Sequence, residues 1–186
     1  DQNDDTYTTT AGTGTNAHKG APFDSHSVSI SSDALGTLAF HGEGGSSAQS
    51  AIDGTAAGDI WDSGFGVTAA LDPKTSKATD NMIFYTLPEV MDGVSLKASY
   101  TPKGSSAAAS MAYAIQYTGV EGLTLDYATG EDDSTAGSEA DVTTMKASYA
   151  YGPITLSYSQ NEYDGAGSGA NTDQEVTSYE VAYTVS

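Results

Sequence analysis

The most constraining feature of this 186-residue chain is a strict alternation of apolar and polar residues that recurs in segment after segment. In residues 94–101, for example, Val94, Leu96, Ala98 and Tyr100 are each followed by a serine, lysine or threonine. A period of two places successive side chains on opposite faces of a β-strand. Similar segments occur at 27–31, 37–41, 111–118, 123–128, 144–149, 154–159 and 178–185, and the meander is regular from Ile83 onwards. The chain is therefore predicted to be all-β, with antiparallel strands that each have one apolar and one polar face.

The connections between these segments alternate in length. The short ones are Met91-Asp92-Gly93, Val120-Glu121-Gly122 and Tyr151-Gly152-Pro153. The longer ones, mostly acidic, are residues 102–107, 129–141 and 164–174. In an antiparallel meander, alternate turns lie at the same end of the sheet. We therefore expect an up-and-down arrangement with short turns at one end and long loops at the other.

The composition of the two faces separates the possible architectures. The polar positions are mostly Ser, Thr and Ala, whereas the solvated face of a soluble β-sandwich usually carries more Lys, Glu and Arg. The apolar positions include many tyrosines near strand ends, namely Tyr100, Tyr117, Tyr127, Tyr149, Tyr158 and Tyr183. Transmembrane β-barrels have an apolar band bordered by aromatic residues, with short turns at one end. The pattern favours a transmembrane barrel, and a soluble all-β domain is the alternative.

The charge balance restricts the partners. The chain has 25 acidic residues against 6 basic ones, a net charge of -19, and all six basic residues are lysines. Binding of nucleic acid or of an anionic headgroup surface requires a basic surface, so we expect neither. There is no cysteine, and phosphate loops, nucleophile elbows and zinc-protease motifs are absent from the sequence. We therefore expect that the protein is not an enzyme.

Three stretches together resemble a known family. Residues 31–42, Ser-Ser-Asp-Ala-Leu-Gly-Thr-Leu-Ala-Phe-His-Gly, resemble the hairpin that precedes the inward-folded loop of Gram-negative general porins. Residues 120–128 and 145–158 look like strand–turn–strand units of the same family. The resemblance covers residues 23–186. It implies an outer-membrane channel for passive diffusion of small hydrophilic solutes, contact with membrane lipid, and a homotrimer.

The resemblance also divides the chain. Residues 1–22 are interpreted as a polar loop or extension, and residues 23–186 as a porin-like barrel segment with a candidate constriction loop at 42–66. About nine or ten strands can be counted, fewer than the ~16 of a general porin. The chain begins in a polar stretch and stops within an alternating segment, so we expect a partial barrel or a fragment of one. The basic cluster that faces the constriction loop in the family has no arginine counterpart here.

Two sets of charged residues are candidates for the pore. Four acids lie in the candidate constriction loop, where they would raise the local cation concentration: Glu43, Asp53, Asp59 and Asp62. The alternative is that they lie on a solvated surface loop. Four charged residues lie at strand positions whose side chains would face the lumen of a barrel: Lys97, Asp126, Lys146 and Glu180. On a soluble sheet the same four residues would be ordinary surface charges. Together the two sets predict a cation-preferring channel.

No cofactor and no metal site is predicted. The three histidines share no metal-ligand spacing, and no acidic segment has the spacing of a twelve-residue Ca²⁺ loop. Ca²⁺ binding by the acidic segments at 131–141, at 163–164 with 173–175, and at 1–5 stays open. It would suit the alternative function, a secreted or cell-surface soluble β protein such as an adhesin, a surface-layer subunit or a filament subunit.

Overall fold

A computed structural model describes residues 26–52, 54–56, 72–76, 81–104, 108–133, 139–165 and 173–185. These residues form one sheet of nine strands. The strands are β1 (His26–Ser32), β2 (Gly36–Glu43), β3 (Met82–Thr86), β4 (Val94–Thr101), β5 (Ser110–Tyr117), β6 (Leu123–Glu131), β7 (Ala140–Tyr151), β8 (Ile154–Gly165) and β9 (Gln174–Tyr183). Each strand pairs antiparallel with the next, and within the described sheet β1 and β9 do not pair. The predicted up-and-down meander is confirmed, as an open sheet consistent with a partial barrel.

Connections of two kinds lie at the two ends of the sheet. The short ones comprise residues 33–35, 87–93, 118–122 and 152–153, and Gly93 adopts a φ of 73°, which glycine tolerates without a steric penalty. The β6–β7 connection is shorter than predicted, because Thr129–Glu131 remain paired with β7 and Ala140 remains paired with β8. The acidic side chains of this region had suggested a loop, but backbone pairing continues past the end of the apolar pattern. In the described part of the chain, no helix has the length and apolarity needed to cross a membrane.

The short turns indicate how strongly the strands tilt. When the pairing is followed across the sheet, Gly36 lies in the same row as Ile115 of β5. Val94 lies in the row of Tyr117, which is two residues further along β5. Leu123 and Ile154 lie two and four residues further in the same direction. The strand starts therefore shift by about one residue per strand. At ~3.3 Å per residue and ~4.8 Å between strands, turns that share one plane require strands tilted by about 35°. Strands of membrane barrels tilt by about 35–45°.

The two faces of the sheet have opposite exposure. On one face, here called the outer face, large apolar side chains are exposed: Tyr113 is 53% exposed, Leu156 51% and Tyr179 73%. The other face, the inner face, holds small residues that are buried, such as Ala112 and Thr144. A soluble protein buries its large apolar side chains, and a contiguous exposed apolar face of this kind marks an interaction surface. The arrangement fits a sheet whose outer face contacts lipid.

The apolar part of the outer face ends in an acidic edge at the end opposite the short turns. Glu131, Asp141 and Asp164 lie in one pairing row across β6, β7 and β8. The last outward-facing apolar residue lies in the row of Met111 from β2 to β5, in the row of Tyr127 on β6 and β7, and in the row of Tyr158 on β8 and β9. The apolar border therefore shifts across the pairing rows in the same direction as the strand starts, as expected for strands tilted in a membrane.

Candidate functional site

The segment that follows β2 lies against the inner face of the sheet. Its described residues, 44–52, 54–56 and 72–76, are called the inner loop below. The backbone N–H of Ala48 donates a hydrogen bond of 2.9 Å to Oγ of Ser99 on β4. Residues 47–52 form a compact turn, in which the N–H of Ala51 bonds the carbonyl of Ser47 and the N–H of Ile52 bonds that of Gln49. The nine-stranded sheet is called the wall below. The inner loop is thus attached to the inner face of the wall and does not project from its end.

A group of buried polar side chains, the anchor cluster, joins the outgoing limb of the inner loop (residues 44–52) and its returning limb (residues 72–76) to β7, and includes one residue of β8 that bonds β7. It consists of Ser47, Gln49, Ser76, Thr144 and Asn161, and each is at most 1% exposed. Gln49 Nε2 donates to Thr144 Oγ1 at 2.8 Å, and Gln49 Oε1 accepts the backbone N–H of Ser76 at 2.6 Å. Asn161 Nδ2 also donates to Thr144 Oγ1 at 2.8 Å, and the hydroxyls of Ser47 and Ser76 are 2.6 Å apart. The single amide of Gln49 therefore links the wall to the returning limb.

Small residues on the inner face allow the inner loop to come close. Ala112, Ala114 and Ala128 form a buried apolar cluster with Ala48 and Ile52. At the neighbouring Gly130, a Cβ atom would lie 2.7 Å from Oγ of Ser76 and 2.7 Å from Cβ of Ala112. Such a contact is too short for real atoms, so this position requires glycine for the backbone of β6 to approach the inner loop.

Further contacts extend the attachment to β9. Lys146 Nζ donates to the carbonyl of Thr55 at 3.0 Å. Gln174 on β9 binds the returning limb twice, since its Oε1 accepts the N–H of Lys74 at 2.8 Å and its Nε2 donates to the carbonyl of Asp72 at 3.0 Å. The ammonium of Lys74 lies 4.6 Å from the ring centroid of Tyr163, within cation–π range. The inner loop therefore bonds to side chains of β4, β7 and β9.

The predicted pore charges fall into three groups. Asp53, Asp59 and Asp62 lie outside the described residues, and Glu43 is the last residue of β2. All four strand residues predicted to face the lumen lie on the inner face and are half-buried: Lys97, Asp126, Lys146 and Glu180. The pairing brings Asp126 and Lys146 opposite each other, and Asp126 also accepts a hydrogen bond of 2.8 Å from Gln116 Nε2. Lys97 lies opposite Ala114 and Glu180 opposite Ser157, so these two are separate from that pair. Their role in conduction stays a prediction.

Metal binding finds no direct geometric support in the described residues. Among them, no three or more His, Asp or Glu side chains are arranged to hold a metal ion. The possibility of Ca²⁺ at the acidic loops therefore stays a prediction from sequence.

The anchor cluster was not predicted from the sequence. Its members are uncharged Ser, Thr, Asn and Gln residues, which are common throughout this chain. The available signal was the pairing of Ala112 with Gly130 and of Ala114 with Ala128 on adjacent strands. Small residues at adjacent inner positions of neighbouring strands indicate that another part of the backbone packs there.

The arrangement defines a class of protein. A tilted antiparallel sheet with an apolar outer face, an acidic edge and a loop attached to its inner face is the wall of a transmembrane β-barrel. The family model of the Gram-negative porins matches residues 2–186, and the chain belongs to this family. It is accordingly a protein of the outer membrane. The comparison with curated proteins gave no match.

Proposed function

We propose that the protein forms a water-filled channel through which small hydrophilic solutes and ions diffuse passively. The observation that carries the proposal is the inner loop on the small, polar inner face of the wall. A loop attached there narrows the lumen of the barrel. It does not cover the whole inner face, as the second sheet of a β-sandwich would. The proposal assigns no catalytic role to any residue.

The proposed channel prefers cations. Support comes from the excess of 25 acidic over 6 basic residues and from the environment of the inner-face charges. Lys146 donates to the carbonyl of Thr55 and lies opposite Asp126, so its charge is partly balanced. A narrow passage lined by carboxylates concentrates cations and repels anions. By analogy with the family, the proposed assembly is a homotrimer.

Reconstitution of the full chain in a planar bilayer tests the channel. We expect discrete conductance steps and, in a salt gradient, a reversal potential of the sign that favours cations. A reversal potential of anion sign would contradict the selectivity but leave the channel standing. Calcium-dependent assembly without any conductance would contradict the channel and favour the soluble surface protein considered above.

The candidate constriction acids are tested by neutralisation. We expect the triple substitution of Asp53, Asp59 and Asp62 by Asn to move the reversal potential toward zero, because it removes three of the carboxylates that are proposed to attract cations. A matched control is Asp33→Asn together with Asp92→Asn, since both residues lie in turns at the short-turn end. If the control and the triple variant move the reversal potential equally, the constriction does not set selectivity.

A further inference from the structure

Two buried side-chain atoms at the contact between the wall and the inner loop have no hydrogen-bond partner among the described residues. They are Oγ of Ser159 and Oδ1 of Asn161, both on β8. The two residues are two positions apart, so their side chains share one face of the strand. Both are fully buried, so bulk water does not reach them. The attached loop therefore leaves one hydroxyl and one amide oxygen unbonded.

The inner loop lies over this part of β8. A Cβ atom at Gly54 would lie 3.4 Å from Nδ2 of Asn161, so the backbone of the loop is within van der Waals contact of this side chain. Ser159 is paired with Lys146 of β7, and the ammonium of Lys146 donates to the carbonyl of Thr55. We therefore attribute the burial of Ser159 and Asn161 to the attached loop.

Attachment of the inner loop is a balance of opposing contributions. The anchor cluster favours the attached position through the two hydrogen bonds of Gln49. A buried polar atom without a partner acts in the opposite direction, because it has lost its hydrogen bonds to water and gained none. Release of the loop exposes Ser159 and Asn161 to solvent, where both atoms bond water again. The bond from Asn161 Nδ2 to Thr144 lies within the wall and is kept.

We propose that Ser159 and Asn161 act as a release pair. They weaken the attachment of the inner loop, so that the loop moves reversibly between an attached and a released position. Release widens the passage along the inner face. This consequence for the passage rests on the proposed function, whereas the two positions of the loop do not.

Hydrogen exchange of the full chain in detergent micelles tests the release pair. Ser159→Ala removes the unpartnered hydroxyl and breaks no hydrogen bond of that hydroxyl within the described chain. We expect a peptide that covers residues 45–52 to exchange roughly ten times more slowly in this variant, because removal of one unsatisfied buried group shifts the equilibrium toward the attached loop by about that factor. A peptide from the β1–β2 turn should exchange at the wild-type rate.

Two other serines of the inner face are matched controls, since each substitution removes one hydroxyl. Ser157, two residues before Ser159 on β8, donates to Ser148 of β7, so Ser157→Ala should leave the exchange of residues 45–52 unchanged. Ser99 accepts the N–H of Ala48, so Ser99→Ala should accelerate this exchange. Opposite effects of Ser99→Ala and Ser159→Ala would not follow from a general loosening of the fold.

The proposal is overturned if residues 45–52 of Ser159→Ala exchange at or above the wild-type rate. A rate above wild type would assign the hydroxyl to an internal water molecule that helps to hold the loop. Equal slowing of the peptide from the β1–β2 turn would show a general stabilisation and would overturn the proposal as well. None of these results depends on conductance, so failure of the release pair and failure of the proposed channel are distinguishable.

Discussion

Replacement of Gln49 by alanine should release the inner loop from the wall. The side chain is fully buried, and its amide makes one hydrogen bond to Thr144 and one to the backbone of Ser76. Alanine retains neither bond. Thr144 keeps its bond from Asn161, but the N–H of Ser76 is left without its acceptor in a buried position.

The expected cost follows from these two losses. An unsatisfied buried backbone N–H costs about 1–3 kcal/mol, and an ordinary hydrogen bond contributes about 0.5–1.5 kcal/mol. The attached state of the inner loop should therefore lose about 2–4 kcal/mol relative to the released state. Since 1.4 kcal/mol corresponds to a tenfold change in an equilibrium constant, release becomes at least about 30 times more frequent.

Hydrogen exchange followed by mass spectrometry measures this release. The amides of Ala48, Ala51 and Ile52 are bonded in the attached loop, so their exchange reports local opening. We expect a peptide that covers residues 45–52 to exchange about 30-fold faster in Gln49→Ala, and a peptide from β6 to exchange at the wild-type rate.

Gln116→Ala is the matched control for Gln49→Ala. Gln116 also lies on the inner face and also loses one amide hydrogen bond, to Asp126, but this bond does not involve the inner loop. Equal exchange of residues 45–52 in wild type and Gln49→Ala would refute the anchoring role. An equal acceleration in both variants would show a general loosening of the wall.

Two further substitutions test the faces of the wall. Ile115→Lys places a charge in the apolar part of the outer face and should destabilise the protein by about 2–4 kcal/mol, measured by denaturant titration in lipid vesicles. Gln116→Lys, on the inner face, should destabilise the protein much less. Equal destabilisation by both variants would mean that the faces are assigned wrongly. Gly130→Ala forces its new methyl group against Ser76 and Ala112 and should cost about 1–3 kcal/mol, with faster exchange of residues 45–52. Gly104→Ala meets no atom within 4 Å, and a cost as large as that of Gly130→Ala would contradict the close approach.

Alternation was sufficient to predict the wall. Which residues face outward follows from parity alone, because a strand has no freedom to place Tyr113 and Ala114 on the same face. The ends of strands at the acidic edge were harder to predict. Glu131 and Asp141 are paired in the sheet although their charges suggested a loop, because pairing depends on the backbone and continues beyond the lipid boundary.

The attachment of the inner loop could not be predicted in the same way. Its contacts join residues 95 positions apart in the case of Gln49 and Thr144, and no local pattern specifies such a pair. Charged residues in the loop were predicted to matter, whereas in the part that the structure describes the loop is attached mainly by uncharged polar side chains and by its own backbone, with Lys146 as the one charged donor. Only the small residues paired between β5 and β6, such as Ala128 and Gly130, indicated where the loop could approach.

The wall is a single β-sheet, with lipid on one side and the lumen on the other. This arrangement limits the sequence changes that such a chain can accept during evolution. Odd and even positions of a strand adapt to lipid and to lumen separately, so substitutions on one face leave the other face intact. Insertion of one residue in the middle of β7 would exchange the faces of every position between it and the next turn. Insertions and deletions should therefore accumulate in the long connections and be rare within strands, so that strand length is inherited more faithfully than any individual side chain.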